Sequence, residues 1–171
     1  MSPDRRRSSR ALLAASVILF VASLTQNGFC LLTGGAERCD NYGIAVLGLG
    51  WMETLFIGDV GPFVALSWFA NPCLVFSWAF LLGTGRRVAL VLTGLATALS
   101  LAFLLGKSVQ ISEGGGPSPI TSHGAGYWLW LGSIVLALAS ALLMPRIRRA
   151  PAEAAQVEAP SGLPPTNRAT K

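Results

Sequence analysis

The sequence predicts an all-α fold: a polytopic membrane bundle of four spanning helices with a short re-entrant or interfacial segment on its outer side. The 171-residue chain is 52% hydrophobic and only 12% charged, whereas soluble domains are about 25% charged. Its apolar residues form runs near the length of about 20 residues that a helix needs to cross a bilayer. Its basic residues cluster beside the ends of those runs, as they do at the cytoplasmic ends of membrane helices.

The first apolar run covers residues 11–32 and follows an arginine-rich segment, residues 1–10. This layout resembles a secretory signal peptide, but the run is long and ends without a small-residue cleavage site, so we expect a retained helix. The polar loop that follows lies largely between Cys30 and Cys39. If this loop faces an oxidising compartment, the two cysteines are expected to form a disulfide, and two unpaired thiols are the alternative.

The second apolar stretch, residues 43–58, is short, rich in glycine and interrupted by Glu53. Apolar stretches of about 10–14 residues are typical of re-entrant or interfacial segments. Asp59 follows this stretch directly. Because a carboxylate in or near hydrocarbon is costly, Glu53 and Asp59 are candidates for a functional polar site. The alternative is that both side chains lie at the headgroup level and face water.

The central apolar run, residues 61–83, contains the pair Asn71-Pro72 near its middle. Pro72 lacks an N–H and clashes with the preceding turn, which predicts a kink near residues 67–69. In lipid, the freed backbone groups must be satisfied within the protein, and Asn71 or Ser67 can do so. Because broken helices also expose carbonyls that bind ions or solutes, Asn71 is a third candidate site residue. A packed structural kink is the alternative.

Two further runs, residues 88–106 and 127–144, complete the four predicted spans. Small residues recur four apart in the first of them, at Gly94, Ala98, Ala102 and Gly106. Such a stripe lets another helix approach closely. Tyr127, Trp128 and Trp130 begin the last span, as expected at a headgroup boundary. Residues 145–171 are rich in proline, alanine and polar residues, so we expect a disordered cytoplasmic tail.

The distribution of charge selects between two threadings of these runs. If residues 43–58 do not cross, both termini are cytoplasmic and only Arg38 and Lys107 of the 13 basic residues lie outside. If residues 43–58 do cross, Arg86, Arg87 and the cluster at 146–149 move outside. The positive-inside rule favours the first threading, which predicts a multi-pass protein with four crossings.

The sequence lacks the motifs that mark several classes of function. Three cysteines and one histidine do not form a metal pattern, and neither a nucleophile elbow nor a phosphate loop occurs. We therefore expect no metal, no cofactor and no catalytic residue. The basic residues lie beside apolar runs, so the partner they indicate is the lipid bilayer and not nucleic acid.

Three short motifs carry a resemblance to known proteins: Gly50-Trp51, Ser67-Trp-Phe-Ala-Asn-Pro72 and Gly126-Tyr-Trp-Leu-Trp-Leu131. Together they resemble a group of small uncharacterised bacterial four-helix integral membrane proteins that share a Trp-x-Ala-Asn-Pro helix. The resemblance extends over residues 43–142. It implies a location in the bacterial inner membrane and a four-helix arrangement, and it implies no activity.

Two hypotheses for function follow. The first is a non-enzymatic accessory or partner-binding membrane subunit, whose partner is another membrane protein or a second copy of the chain. It rests on small-residue helix faces without a polar pathway. The second is a small solute or ion transporter that uses Glu53, Asp59 and the Asn71-Pro72 kink.

Overall fold

The structure, a computed structural model, describes residues 3–52, 62–83, 85–109 and 118–144. The helices are α1 (Pro3–Leu24), α2 (Gly43–Leu49), α3 (Pro62–Ser67), α4 (Ala70–Leu82), α5 (Arg86–Ala102) and α6 (Ala125–Leu143). The strands are β1 (Asn27–Thr33), β2 (Ala36–Tyr42), β3 (Ser108–Val109) and β4 (Ser118–His123). Short 3-10 turns extend α2 to Met52 and α5 to Leu105. Glu53, Asp59 and the predicted tail, residues 145–171, lie outside the described residues.

Among the described residues, four helical segments are long and apolar enough to cross a membrane, and they correspond to the four predicted spans: Asp4–Leu24, Pro62–Leu82, Arg86–Leu105 and Ala125–Leu143. The first segment differs in its bounds from the predicted run over residues 11–32. It begins inside the arginine-rich segment and ends at Leu24, where Gln26, Asn27 and Gly28 follow. Asparagine and glycine are poor helix formers, so the apolar residues beyond them continue as a strand.

The prediction of a purely helical fold is wrong, because a four-stranded antiparallel sheet covers one end of the bundle. Its strand order is β2-β1-β4-β3. The β1–β2 hairpin turns at Gly34 and Gly35, whose positive φ angles of 61° and 81° suit glycine. β1 also pairs with β4, with Phe29 opposite His123. We call this the sheet end, and we call the opposite end, formed by residues 3–10, Arg86 and Leu143, the basic end.

The central contact of the bundle is an antiparallel pair, α1 with α6. Its paired positions are seven residues apart on both helices, since Ser9 contacts Ser140 and Ser16 contacts Ser133. The Ser9 and Ser140 hydroxyls each donate to the other residue's carbonyl, at 3.1 and 2.8 Å. The Ser16 hydroxyl donates to the Ser133 carbonyl at 2.8 Å. In a membrane such bonds between helices contribute about 0.6 kcal/mol each on average.

The buried residues of the long helices are spaced alternately four and three residues apart, which adds to the same spacing of seven. They are Ser9, Leu13, Ser16, Phe20 and Ser23 on α1; Ala70, Leu74 and Ser77 on α4; Ala89, Thr93, Ala96, Ser100 and Phe103 on α5 and its extension; and Ser133, Ala137 and Ser140 on α6. A repeat averaging 3.5 residues is that of left-handed helix packing. Small residues at these positions bring the backbones close.

Two of the four residues in the predicted small-residue face of α5, Gly94 and Ala98, lie outside the contacts of the bundle. A Cβ added at Gly94 would meet no atom within 4 Å, and Ala98 is exposed. Gly106, in contrast, packs closely against Val64 of α3. The face that does pack instead carries Thr93, whose hydroxyl donates to the Ala89 carbonyl of its own helix at 2.8 Å.

Glycines let three segments meet at the end of α1. A Cβ added at Gly43 would collide with the carbonyl of Ser23. A Cβ added at Gly124 would collide with the carbonyl of Asn27, and one at Gly126 would lie 2.8 Å from the same oxygen. The starts of α2 and α6 therefore lie directly against the turn between α1 and β1. α3 begins at the same end, because Val64 contacts Gly106.

Candidate functional site

A cavity of about 450 Å³ lies at the sheet end, beside the last turns of α1 and between the β1–β2 hairpin, α2, α3 and the start of α6. This volume falls within the range of about 300–1,000 Å³ typical of small-molecule sites. The described residues that line it are Phe20, Ser23, Leu24, Gly28, Phe29, Asp40, Asn41, Gly43, Ala45, Val46, Leu47, Leu49, Gly50, Met52, Val64, Ser67, Trp68, Asn71, Phe103, Val109, Gly126, Tyr127 and Trp130.

Asn71 lies on the cavity wall where the central span is interrupted. The break falls at Trp68 and Phe69, between α3 and α4. Pro72 has no N–H for the carbonyl of Trp68 four residues earlier. That carbonyl accepts a hydrogen bond from the Asn71 backbone N–H at 3.0 Å and another from the Asn71 side-chain amide at 3.1 Å. The amide thus replaces the donor that proline removes.

The other half of the Asn71 side chain ties this break to α6. Its Oδ1 accepts from the indole Nε1 of Trp130 at 2.8 Å. Oxygen and nitrogen of the amide are therefore both engaged within the protein. Each end of the amide keeps one further hydrogen-bonding site, since the oxygen has two lone pairs and the NH2 has two hydrogens.

A second indole fixes α2 over the break. Trp68 Nε1 donates to the carbonyl of Leu47 at 2.9 Å. The Trp68 ring lies against Gly50, where an added Cβ would be 2.7 Å from Cδ1. The absence of a side chain at Gly50 therefore lets the ring close one wall of the cavity.

Aromatic side chains form the wall toward β4. Tyr127 donates its hydroxyl to the Ser100 carbonyl at 2.9 Å and is buried. The His123 ring lies 4.9 Å from Tyr127 and 5.6 Å from Phe103, measured between centroids. Burial lowers the pKa of His123 below its usual value, which favours a neutral imidazole in this apolar surrounding. Its Nε2 is buried and has no hydrogen-bond partner among the described residues.

The remaining polar groups of the inner wall bond to their own helices. The Ser23 hydroxyl donates to the Phe20 carbonyl, and the Ser67 hydroxyl donates to the Val64 carbonyl, both at 2.6 Å. Of the described lining residues, only Asp40 carries a charge, and it is exposed on β2. The inner wall therefore offers mainly apolar contact, and the one charged residue is an exposed one at the rim.

The predicted disulfide between Cys30 and Cys39 is confirmed, and it joins β1 to β2. Glu37 lies near the two sulfurs, and its carboxylate accepts a hydrogen bond from Thr121 of β4 at 2.6 Å. Since metals bind the thiolate form, the disulfide sulfurs cannot act as metal ligands. Cys30, Cys39 and Glu37 therefore link strands of the sheet and do not form a metal centre in the oxidised protein.

The sequence-predicted site residues divide into two groups. Asn71 lines the cavity and Pro72 follows the break, whereas Glu53 and Asp59 lie outside the described residues. Sequence reasoning assigned Tyr127, Trp128 and Trp130 to the headgroup boundary. Trp128 is 54% exposed, but Tyr127 and Trp130 turn inward and line the cavity.

Trp68 also lines the cavity, although the sequence did not predict it as a site residue. The one local signal is that Trp68 carries an indole donor four residues before Pro72, whereas the position of Trp130 beside Asn71 follows from the fold. Comparisons of the chain with protein-family models, curated proteins and solved structures found no match. The resemblance to small bacterial membrane proteins therefore stays a prediction.

Proposed function

We propose that this chain is a multi-pass protein of the bacterial inner membrane that acts without catalysis, as an accessory subunit that binds another membrane protein. One observation carries the proposal: two small residues four apart on α5, Gly94 and Ala98, lie outside the contacts of the bundle. A Cβ at Gly94 would meet nothing within 4 Å, and Ala98 is exposed. In lipid, small residues four apart are where a further helix can approach closely.

The polar groups of the spans support binding over transport or catalysis. The Ser16 and Thr93 hydroxyls, the Trp78 indole and the Asn71 amide lie in the described spans and are engaged with neighbouring groups. Transport pathways are usually marked by ionisable residues within the membrane, and the segments Pro62–Leu82 and Ala125–Leu143 contain none of the charged types. The transporter hypothesis would rest on Glu53, Asp59 and the Asn71-Pro72 break, whose amide already bonds to Trp68 and Trp130.

The charges support an orientation with both termini in the cytoplasm. Residues 3–10, Arg86 and Arg87 lie at the basic end, where the Arg86 side chain donates to the Leu142 carbonyl at 3.4 Å. Arg38 and Lys107 are the basic residues of the sheet end. By the positive-inside rule, the basic end faces the cytoplasm, which puts the disulfide in the oxidising compartment where such bonds persist.

The test compares the same substitution on two exposed alanines. Ala98→Leu fills the α5 stripe, and Ala14→Leu changes an exposed alanine of α1 that lies away from the stripe. A photoreactive residue at Val91, which is 69% exposed on α5, captures whatever lies against that helix in intact cells. We expect one discrete adduct with another membrane protein, reduced about 5- to 150-fold by Ala98→Leu, because overpacking costs about 1–3 kcal/mol.

The Ala14→Leu control should leave the adduct unchanged. Adducts with lipid alone, or equal effects of the two substitutions, would contradict the proposal. An adduct formed only with a second copy would replace the accessory role by a homo-oligomer. Because Ala98 is exposed, circular dichroism should show unchanged helix content in both variants.

A further inference from the structure

We infer that the sheet-end cavity binds a small amphiphile with one apolar body and a cationic head. The inference does not depend on the proposed accessory role, because it concerns the cavity and not the α5 stripe. It rests on three properties of the described lining: its volume, the state of its polar groups and the position of its one charge.

The volume and the apolar wall together favour an apolar occupant. A cavity of about 450 Å³ has room for on the order of 15 waters at about 30 Å³ each, and each ordered water needs two to four polar partners. The wall offers Phe20, Leu24, Val46, Val64 and Phe103 instead. Water in contact with this wall gains few hydrogen bonds, so its replacement by an apolar body is favourable.

The polar atoms in the wall do not change this conclusion, since their partners are already within the protein. The Trp68 and Trp130 indoles donate to the Leu47 carbonyl and to Asn71 Oδ1, and the Tyr127 hydroxyl donates to the Ser100 carbonyl. A ligand body rich in hydroxyls or amides would lose its bonds to water and find few replacements. The body is therefore an alkyl chain or a ring system without polar substituents.

The head is assigned by charge. Asp40 is exposed on β2 and is the one charged side chain among the described lining residues. A cationic head at the rim would pair with this carboxylate, whereas an anionic head would be repelled by it. The volume suits a single chain or a compact ring body and is too small for a lipid with two long acyl chains.

The experiment uses the full chain in phosphatidylcholine nanodiscs with two probes of equal chain length. Both carry a diazirine in the alkyl chain; one ends in an amine and the other in a sulfate. After photolysis, peptide mapping locates the labelled residues. We expect the amine probe to label the cavity wall saturably, including Phe20 and Met52, while labelling of lipid-facing Phe76, which is 61% exposed, rises in proportion to probe. The sulfate probe should label the wall more weakly.

Three variants separate the parts of the inference. Asp40→Asn should weaken the amine probe about two- to fivefold, the range of a solvent-exposed ion pair, and leave the sulfate probe no weaker. Val46→Phe fills the half-buried wall position and should abolish saturable labelling by either probe. Val75→Phe makes the same change on an exposed position of α4 and should leave labelling intact.

Wall labelling that never saturates, or equal labelling by amine and sulfate probes, would overturn the inference. Saturable labelling that survives Val46→Phe would overturn the assignment to this cavity. If Val46→Phe fails to fold, the comparison of heads and the exposed Asp40→Asn change still decide. Purified protein without a partner is used, so failure here leaves the Val91 capture result unaffected.

Discussion

The amide of Asn71 is predicted to stabilise the protein because Pro72 follows it. Asn71→Ala removes two hydrogen bonds, one to the Trp68 carbonyl at 3.1 Å and one from Trp130 at 2.8 Å. Hydrogen bonds between membrane helices contribute about 0.6 kcal/mol on average and at most about 1.7, and an unsatisfied donor adds to the loss. The expected decrease in the free energy of unfolding is about 1.5–3 kcal/mol.

The dependence on proline is tested by a double-mutant cycle. Pro72→Ala supplies the backbone N–H that the Trp68 carbonyl lacks, so Asn71→Ala should cost about 0.6–1 kcal/mol less in the Pro72→Ala background. Unfolding is followed by tryptophan fluorescence as SDS replaces a mild detergent. Trp130→Phe in place of Pro72→Ala isolates the second bond. If the Asn71 and Pro72 effects add within about 0.3 kcal/mol, the explanation of the break is refuted.

Three further predictions concern the helix pair, the disulfide and the sheet end. Ser16→Ala removes the donor to Ser133 and leaves the Trp78 indole, now 3.1 Å from the Ser16 hydroxyl, without its acceptor. We expect the free energy of unfolding to fall by about 1–2 kcal/mol in the same assay. The control Ser8→Ala, at an exposed position, should change that free energy by less than about 0.5 kcal/mol. In a Cys73→Ala background, a membrane-impermeant thiol reagent should label Cys39 only after reduction, and labelling without reductant would disprove the bridge in cells. Burial lowers the folded-state pKa of His123 below its ordinary 6.5, so the unfolded state takes up the proton first as pH falls. The stability that neutral His123 contributes is therefore fully present above pH 6.5. It is lost as pH falls through the folded-state pKa. Unfolding midpoints at about pH 7.5 and 5.5 should therefore differ less in His123→Gln than in the parent, and an equal difference in both would refute the assignment.

The four spans could be predicted from sequence because length and composition determine them almost alone. The sheet could not. Residues 11–32 read as one apolar run, although it contains the end of α1 and most of β1. A short apolar run does not distinguish a buried strand from a buried helix by periodicity, and Asn27-Gly28 was the one local sign of a helix end. β4 contains Pro119, which argues against a strand unless it lies at an edge or is short.

The sequence contains the spacing that predicts the main helix–helix contact, but the prediction was made for the wrong residues. Ser9, Ser16 and Ser23 recur every seven residues, and Gly126, Ser133 and Ser140 repeat the same spacing. An antiparallel pairing of two such repeats brings the hydroxyls together. The stripe at Gly94 and Ala98 has equally good spacing, and nothing local indicates that it faces away from the bundle.

The candidate site was predictable only in part. Asn71-Pro72 marks the break by its own chemistry, since a missing N–H in lipid demands a local donor. The cavity, in contrast, arises from segments distant in sequence, where Phe20, Asp40, Trp68 and Trp130 converge. Because that convergence depends on the sheet, a prediction without the sheet could not include the cavity.

The orientation of the bundle is tested most directly by labelling one introduced cysteine at a time from outside intact cells, with Cys30 and Cys39 kept as the disulfide. In a Cys73→Ala background, Ala36→Cys places a thiol at an exposed position of the sheet end, and Gly83→Cys places one at an exposed position of the basic end. We expect a membrane-impermeant maleimide to label Ala36→Cys in intact cells and to label Gly83→Cys only after lysis. Labelling of Gly83→Cys in intact cells, with Ala36→Cys protected, would contradict it.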